Sequence, residues 1–288
     1  TAYELRLSLV GSEMCIRDRY WDMYRPQDMP LPATATDAHG RQRHGQWLAE
    51  ERSSGRANLE GPRIFGVTPR EIQEILALTF GMITNIDDRI GMVLRALKDC
   101  GADDNTVVIF TSDHGDLMGD HGVMLKGPLH YQGLIRVPFI WRDAPNTGDM
   151  TARVRSDLVS SIDLAATILR RADIAAPNGV QGKALVGAQG QARVSGRSAV
   201  LVEENQQRAY LGFDTPVRVR TIVTQTHRMS VFQEGDWGEL YDLQADPHEV
   251  RNLWDETQAA ALRSALLEQM LRLLIEHSET SPRPTRLA

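Results

Sequence analysis

The stretch that decides the fold is 107–138, which reads VVIFTSDHGDLMGDHGVMLKGPLHYQGLIRVP. It opens on a β-branched and aromatic run that is too short for a helix and apolar on both faces, a pattern typical of a strand buried in a parallel sheet. The run ends at Ser112, and Asp113 and His114 follow directly. Because ligands of open α/β sheets lie beyond the carboxyl ends of the strands, we expect a functional site at Asp113 and His114.

The adjacent carboxylate and imidazole predict a site for a divalent cation, since one is a hard donor and the other a borderline donor. Several glycines in the next eight residues allow the chain to turn back over this site. Lys126 follows His114 by twelve residues and brings a positive charge to the same place. An isolated Asp-His pair is more often part of a turn and an isolated Lys is usually solvated, but the combined pattern favours a metal site.

Composition limits the class of protein. The 288 residues are 42% hydrophobic and 24% charged, which is enough for one large or two modest domains. The net charge of −6, without a basic tract, indicates neither a nucleic-acid partner nor a membrane surface. The apolar runs are far shorter than a membrane span. The two cysteines, Cys15 and Cys100, form neither a disulfide framework nor a zinc-binding spacing.

Residues 1–19 differ in character from the rest of the chain. The run LSLVGSEMCIRDR at 7–19 resembles translated sequencing-adapter sequence, so we interpret 1–19 as a non-native segment. We therefore expect the native N-terminus to be missing. The compartment stays open between periplasm and cytoplasm.

One long helix is predicted before the central stretch. Thr68 is suited to cap its N-terminus and Pro69 to occupy its first turn. Apolar residues recur at three- and four-residue steps over 72–97, which predicts a helix that packs against the core. Gly101 is expected to end it.

After the central stretch, runs at 137–141 and 199–204 predict further strands of the same sheet. The runs 217–223 and 228–232 then predict an antiparallel hairpin. An amphipathic pattern over 259–277 predicts a terminal helix.

Several motifs resemble the sulfatase family of the alkaline-phosphatase superfamily. The run T-S-D-H-G-D-x-x-G-D-H-G at 111–122, the pair K-G at 126–127 and R-V-P-F-I at 136–140 are similar to its late metal-binding segment. The sequence ELYDL at 239–243, followed by D-P-x-E-x-x-N-L at 246–253, is similar to its C-terminal subdomain.

This resemblance implies an α/β fold, an alkaline-phosphatase-like sandwich whose mostly parallel central sheet lies between helices, with its N-terminal part missing. It also implies a small C-terminal antiparallel sheet packed with a terminal helix. We expect an incomplete sulfatase-type α/β core at 20–210 and the antiparallel subdomain with its helix at 211–288.

The resemblance implies roles for four residues. Asp113 and His114 would bind the divalent cation, with Ca²⁺ as the first choice and Mn²⁺ as the alternative because imidazole suits Mn²⁺ better. Lys126 would act in catalysis and substrate binding by neutralising an oxygen of the sulfate or phosphate group. His130 is a candidate substrate contact, with a structural role as the alternative. The expected partner is a small-molecule or saccharide sulfate ester; the oligomeric state is open.

The family's nucleophile is expected to be a formylglycine made from Cys or Ser in a C-x-P-x-R motif. Neither Cys15, which precedes Ile-Arg-Asp, nor Cys100, which precedes Gly-Ala-Asp, lies in this motif. We therefore predict a fragment of a metal-dependent sulfuric ester hydrolase that is inactive on its own.

Three alternatives remain at this point. A phosphonate monoester or phosphodiester hydrolase of the same superfamily would use the same metal and lysine, and Asp-His stands where many sulfatases carry Asp-Asn. A metal-dependent phosphosugar mutase shares the D-H-G turn, although the ELYDL ending argues against it. A catalytically inactive fragment is the simplest interpretation of this polypeptide.

Overall fold

In the computed structural model, the described residues are 18–36, 47, 50, 54, 66–144, 153–193, 195–207, 209, 213–233, 235 and 237–278. The predicted non-native segment 1–19 therefore lies almost entirely outside the described residues, and so does Cys15. The chain divides into two units. Unit 1 comprises 1–103, 114–138 and 206–217; unit 2 comprises 104–113, 139–205 and 218–288. The domain boundary near residue 211 stays a prediction.

Unit 1 is built on the long predicted helix. A short helix, α1 (Asp18–Trp21), precedes helix α2 (Pro69–Asp99). The side chain of Thr68 accepts a hydrogen bond from the Glu71 amide at 3.2 Å, and Glu71 accepts one from the Thr68 amide at 2.7 Å. This capping box satisfies two N–H groups that a helix start otherwise leaves unpaired, which confirms the predicted start. The helix ends just before Gly101, whose φ is 71°.

The first half of α2 forms the core of unit 1. Its buried residues pack in one cluster with residues from the segments before and after the helix; the cluster contains Met29, Ala35, Val67, Ile72, Ile75, Leu76, Ala77 and Met124. We expected the whole apolar face to be buried, and this is wrong for the second half. There, four side chains that we call the α2 stripe are 50% or more exposed: Ile83, Ile86, Met92 and Val93. The core cluster takes its α2 residues from 72–77, and these four side chains lie outside it.

Helix α1 lies close against α2. Tyr20 is buried, and its hydroxyl donates a hydrogen bond to Asp88 Oδ2 at 2.6 Å. A Cβ atom on Gly81 would lie 2.2 Å from the carbonyl oxygen of Tyr20. Glycine at this point of α2 is therefore needed for the close approach of the two backbones. A third helix of unit 1, α3 (Gln132–Ile135), follows the 114–131 segment.

Unit 2 contains two sheets. Strands β1 (Val108–Thr111) and β2 (Phe139–Arg142) form an antiparallel pair in which Phe110 lies opposite Ile140. We predicted a buried strand inside a parallel sheet, but every described strand pairing is antiparallel, and Phe110 and Ile140 are 39% and 58% exposed. The chain reverses direction between β1 and β2, which makes this pair antiparallel. No further described strand pairs with either of them.

The second sheet has the strand order β3-β4-β5-β6. Its strands are Ala199–Asn205, Arg218–Thr224, His227–Phe232 and Gly238–Asp242, and all neighbours are antiparallel. The predicted hairpin is confirmed as β4 and β5. We expected β3 to extend the central sheet; instead it pairs with β4 along seven residues, because its side chains join the apolar core of this sheet.

Two helices complete unit 2: α4 (Asp163–Arg171) and α5 (Ala260–Glu276). The predicted terminal helix is confirmed by α5, whose Leu266 and Met270 are buried in one core with residues of the four-stranded sheet. At the start of α4, Asp163 accepts hydrogen bonds from the amides of Ser160 at 2.9 Å and Lys183 at 2.7 Å. It also pairs with the Arg197 guanidinium, so its role is structural.

A buried charged cluster joins strands β5 and β6 of the four-stranded sheet. Arg228, which is fully buried, donates hydrogen bonds to Glu249, to Glu239 at 2.9 Å and to Ser230 at 2.8 Å. Both glutamates are themselves buried. One guanidinium thus pairs with two buried carboxylates. Removal of either the positive or the negative partner would leave an uncompensated buried charge, which is strongly destabilising.

Across the described part of the chain, none of the helices combines the length and apolar character that a membrane crossing requires.

Candidate functional site

The predicted site residues His114 and Lys126 are brought together in unit 1. The Nε2 atom of His114 lies 2.7 Å from the Nζ atom of Lys126. The other ring nitrogen, Nδ1, lies 2.7 Å from the carbonyl oxygen of Gly115. His114 is half-buried and Lys126 is exposed, so the pair is accessible from solvent.

These two contacts define the state of the imidazole. A carbonyl oxygen only accepts hydrogen bonds, so Nδ1 of His114 carries the proton that it donates to Gly115. Nε2 is then the acceptor, and the Lys126 ammonium, which has only donors, donates to it. Histidine binds metals through either ring nitrogen, and this arrangement, with Nδ1–H held by a backbone carbonyl, suits binding through Nε2.

Gly115 holds the backbone beside His114 in place. Its amide donates a hydrogen bond to the Leu134 carbonyl oxygen at 2.7 Å. A Cβ atom at this position would lie 2.0 Å from the carbonyl oxygen of Gly133. Only glycine fits between these backbone segments, so the carbonyl that orients His114 is fixed by close backbone packing.

A carboxylate that the sequence did not single out closes the loop that delivers Lys126. Asp116 Oδ1 accepts hydrogen bonds from the amides of Met118 and Leu125, both at 3.0 Å. Met118 and Leu125 both have positive φ, at 46° and 68°. The only sequence signal for this role is that Asp116 lies two residues after His114 and begins the glycine-rich turn.

Asp113 belongs to unit 2, at the end of the segment 104–113. Its side chain is exposed, and Ser112 Oγ donates a hydrogen bond to its Oδ1 at 3.3 Å. No group of three or more His, Cys, Asp or Glu side chains suited to a metal occurs among the described residues. The part of Asp113 in a metal site stays a prediction.

The two other histidines of the segment are buried. His130 is 2% exposed, and its predicted contact with substrate stays a prediction. His121 stacks on Tyr131 with ring centroids 3.8 Å apart, and its amide donates a hydrogen bond to Thr34 Oγ1 at 2.9 Å. His121 therefore helps to hold the loop.

Two carboxylates of unit 2 have lowered pKa values. Hydrogen bonds from Arg171 hold the pKa of Asp143 below its usual range, with Arg171 Nη2 2.8 Å from Asp143 Oδ1. Hydrogen bonds from the amides of Ala245 and Gln244 lower the pKa of Asp242 in the same way. Both carboxylates stabilise local structure, one as an ion pair and the other as a turn.

His114 passes a simple test for binding a cation. Its Nε2 lone pair is directed at the positively charged Lys126 Nζ, and its Nδ1 proton is held by Gly115. The donor set at this point is thus one imidazole nitrogen, Nε2, next to a carboxylate in sequence.

Sequence profiles identify the family. The Sulfatase profile matches 18–174, which is more than half of the chain. A second profile, "N-sulphoglucosamine sulphohydrolase, C-terminal", matches 119–276. The two overlap across the segment that contains Lys126.

Two curated relatives agree with these profiles. Arylsulfatase of Clostridium perfringens is 30% identical over 235 residues, which cover 81% of this chain and 45% of that protein. The multifunctional alkaline phosphatase superfamily protein PehA of Trinickia caryophylli is 28% identical over 283 residues, covering 90% of this chain and 52% of that protein. The chain thus spans about half the length of these relatives.

A solved structure confirms the predicted α/β, alkaline-phosphatase-like fold. The phosphonate monoester hydrolase of Agrobacterium radiobacter superposes with a TM-score of 0.74 at 26% identity. The match covers 94% of this chain and 56% of the hydrolase. The sequence motifs, the two profiles and the superposition agree, and the chain therefore belongs to the sulfatase family of the alkaline-phosphatase superfamily.

Proposed function

We propose that this chain carries part of the active site of a metal-dependent sulfuric ester hydrolase. In this proposal Asp113 and His114 bind a divalent cation, Lys126 binds an oxygen of the sulfate group, and His130 contributes to the substrate pocket. The observation that supports it most directly is the 2.7 Å contact between His114 Nε2 and Lys126 Nζ. This contact brings the residue proposed to bind the cation, His114, next to the residue proposed to bind the anion, Lys126.

The chemistry of ester cleavage explains why these residue types belong together. Negative charge develops on the oxygens around sulfur, and fixed positive charge nearby stabilises the transition state. A divalent cation, when bound, supplies Lewis-acid charge to these oxygens. Lys126 supplies a second positive charge on an exposed side chain, and the contact of Nδ1 with the Gly115 carbonyl leaves Nε2 of His114, which faces Lys126 here, as the nitrogen that would bind the cation. Loss of one such charge typically costs on the order of 3 kcal/mol in the barrier.

The chain is proposed to be inactive by itself, because C-x-P-x-R does not occur around Cys15 or Cys100. A formylglycine nucleophile belongs to this motif in the family. Ca²⁺ is the proposed metal and Mn²⁺ the alternative, since an imidazole ligand favours Mn²⁺.

The test is calorimetry of Ca²⁺ and Mn²⁺ binding to the wild-type chain, with Asp113→Ala and His114→Ala. We expect binding by the wild type that each variant weakens at least tenfold, and Asp87→Ala, which removes an exposed carboxylate of α2, serves as control. Equal binding by all four proteins contradicts the metal site. Assays of an aryl sulfate with each metal should show no turnover by this chain; metal-dependent turnover contradicts the proposed inactivity.

The proposed substrate class is a saccharide or other small-molecule sulfate ester. Its support is the match at 119–276 to the profile named for N-sulphoglucosamine sulphohydrolase. The net charge of −6 does not favour a nucleic-acid substrate.

A phosphonate monoester hydrolase is the second candidate. The 26% identity and TM-score of 0.74 with the Agrobacterium radiobacter enzyme favour it, as does the Asp113-His114 pair. A metal and a lysine serve either anion, so the two candidates differ only in the ester that is cleaved. Competition between inorganic sulfate and methylphosphonate for Lys126-dependent binding separates them: stronger binding of methylphosphonate supports the second candidate.

A further inference from the structure

Asp116 has no part in the proposed function, yet its carboxylate binds amides at both ends of the loop that leads to Lys126. Its Oδ1 atom accepts hydrogen bonds from two amides that are seven residues apart in sequence, those of Met118 and Leu125, each at 3.0 Å. We propose that Asp116 is a positioning residue, which fixes the backbone of Leu125 and thereby places the Lys126 ammonium against His114.

The conformation of the loop supports this role. Met118 and Leu125 are two of the few described non-glycine residues with positive φ, at 46° and 68°. The Cβ atom makes this region costly for L-residues, so it persists only where surrounding contacts impose it. The two amides that Asp116 binds are the amides of these two strained residues. A charged acceptor is well suited to the task because its hydrogen bonds are stronger than those of a neutral one.

Lys126 is the residue directly after Leu125, so φ of Leu125 sets the direction in which Lys126 leaves the loop. If Leu125 relaxes to negative φ, the peptide that leads to Lys126 rotates, and the 2.7 Å contact between Lys126 Nζ and His114 Nε2 is lost. The contact between Nδ1 of His114 and Gly115 does not involve Asp116 and should remain.

The interior of the loop is held independently of Asp116. The Gly119 amide donates to the Val123 carbonyl at 2.8 Å, and the Asp120 amide donates to the Leu117 carbonyl at 2.7 Å. One backbone bond, from the Leu117 amide to the Leu125 carbonyl at 3.1 Å, also joins the two ends. Loss of the Asp116 carboxylate should therefore release the exit of the loop toward Lys126 and leave its middle folded.

The first experiment uses the wild-type chain. Amide hydrogen exchange measured by NMR should be slower at Met118 and Leu125 than at exposed loop amides, by about tenfold or more, as hydrogen bonds to a charged group imply. Exchange of both amides at the rate of an exposed loop overturns the proposal, and this result does not depend on any variant.

The second experiment follows the ¹⁵N resonances of the His114 ring in variants. Lys126→Met, which removes the ammonium, gives the resonance frequency of His114 Nε2 without its hydrogen-bond donor. Asp116→Ala should shift the Nε2 resonance to that frequency and leave the Nδ1 resonance unchanged. Asp116→Asn keeps an Oδ1 acceptor, so its Nε2 resonance should stay near that of the wild type. Asp87→Ala is the control for loss of an exposed carboxylate. A wild-type Nε2 resonance in Asp116→Ala overturns the proposal; if this variant does not fold, the exchange rates of Leu125 in wild type and Asp116→Asn decide the question.

The importance of Lys126 rests on the proposed function, and a separate measurement tests it. Titration with inorganic sulfate should show binding that Lys126→Met and Asp116→Ala both weaken. If the wild type binds no sulfate while the His114 resonances behave as expected, the proposed function fails and the positioning role of Asp116 stands. If Lys126→Met alone weakens binding, the proposed function stands and the positioning role fails.

Discussion

Replacing Gly115 by Ala should disrupt the site through the backbone alone. A Cβ atom there would lie 2.0 Å from the Gly133 carbonyl oxygen, at a contact that ordinarily measures 3.4–4 Å. The neighbour is backbone and not the end of a flexible side chain, so one of the two segments has to move by more than an ångström. The movement should break the 2.7 Å hydrogen bond between the Gly115 amide and Leu134 and displace the carbonyl that orients His114.

The expected magnitude follows from two contributions. Overpacking of a tightly packed interior typically costs about 1–3 kcal/mol, and loss of a backbone hydrogen bond about 1 kcal/mol. The free energy of unfolding should therefore fall by roughly 2–4 kcal/mol in Gly115→Ala. Gly91→Ala is the matched control, because its Cβ would meet only the end of the Arg95 side chain, at 3.4 Å. Gly91 lies inside helix α2, where the same substitution should stabilise by about 0.5–1 kcal/mol.

Urea unfolding followed by circular dichroism measures both variants. The midpoint should fall for Gly115→Ala and rise for Gly91→Ala, and the His114 Nε2 resonance should change only in the former. The reasoning is refuted if Gly115→Ala unfolds at the wild-type urea concentration and keeps the wild-type His114 resonances.

Three further predictions concern the scaffold. Arg228→Met should lower the free energy of unfolding by about 3–5 kcal/mol, because it leaves two buried glutamates without their guanidinium; an unchanged urea midpoint would speak against this ion cluster. The lowered pKa of Asp143 means that its ion pair with Arg171 stabilises the fold fully above about pH 4, the pKa of an unfolded Asp, and that this stabilisation is lost as the pH falls through the lowered pKa. The free energy of unfolding should therefore depend less on pH between pH 5 and 2 in Asp143→Asn than in the wild type, and an equal pH dependence would speak against this ion pair. Gly81→Ala should destabilise the chain although alanine favours helices, because its Cβ would lie 2.2 Å from the Tyr20 carbonyl oxygen; a rise in thermal stability would show that α1 and α2 do not approach this closely.

Local signals in the sequence were sufficient for several elements. The start of α2 was predictable because Thr68 and Pro69 act within one helical turn, and their chemistry does not depend on distant contacts. The hairpin of β4 and β5 and the terminal helix α5 were predictable for the same reason, since their periodic patterns are long. The features that could not be predicted from the sequence, such as strand pairing, depend on contacts between distant parts of the chain.

The strand pairings illustrate this limit. An apolar run such as β1 indicates a strand but not its partner, and the return of the chain as β2 makes the pair antiparallel. The same holds for β3, whose place beside β4 depends on residues about twenty positions later in the chain.

The site shows a similar division. The approach of Lys126 to His114 was predictable from spacing and resemblance, and the structure brings the two within 2.7 Å. The role of Asp116 was not, because a carboxylate that binds two backbone amides leaves no pattern in sequence beyond a polar residue in a turn. Its partners, Met118 and Leu125, are apolar residues whose positive φ is visible only in three dimensions.

The α2 stripe has a practical consequence for anyone who handles the purified chain. Ile83, Ile86, Met92 and Val93 present branched and thioether side chains to water along the second half of helix α2, at exposures of 50–67%. Such a surface binds detergents, fluorescent dyes and other apolar molecules, and it promotes aggregation at high protein concentration. Polar replacements such as Ile86→Lys and Val93→Glu should improve solubility and leave the His114 ring resonances in place.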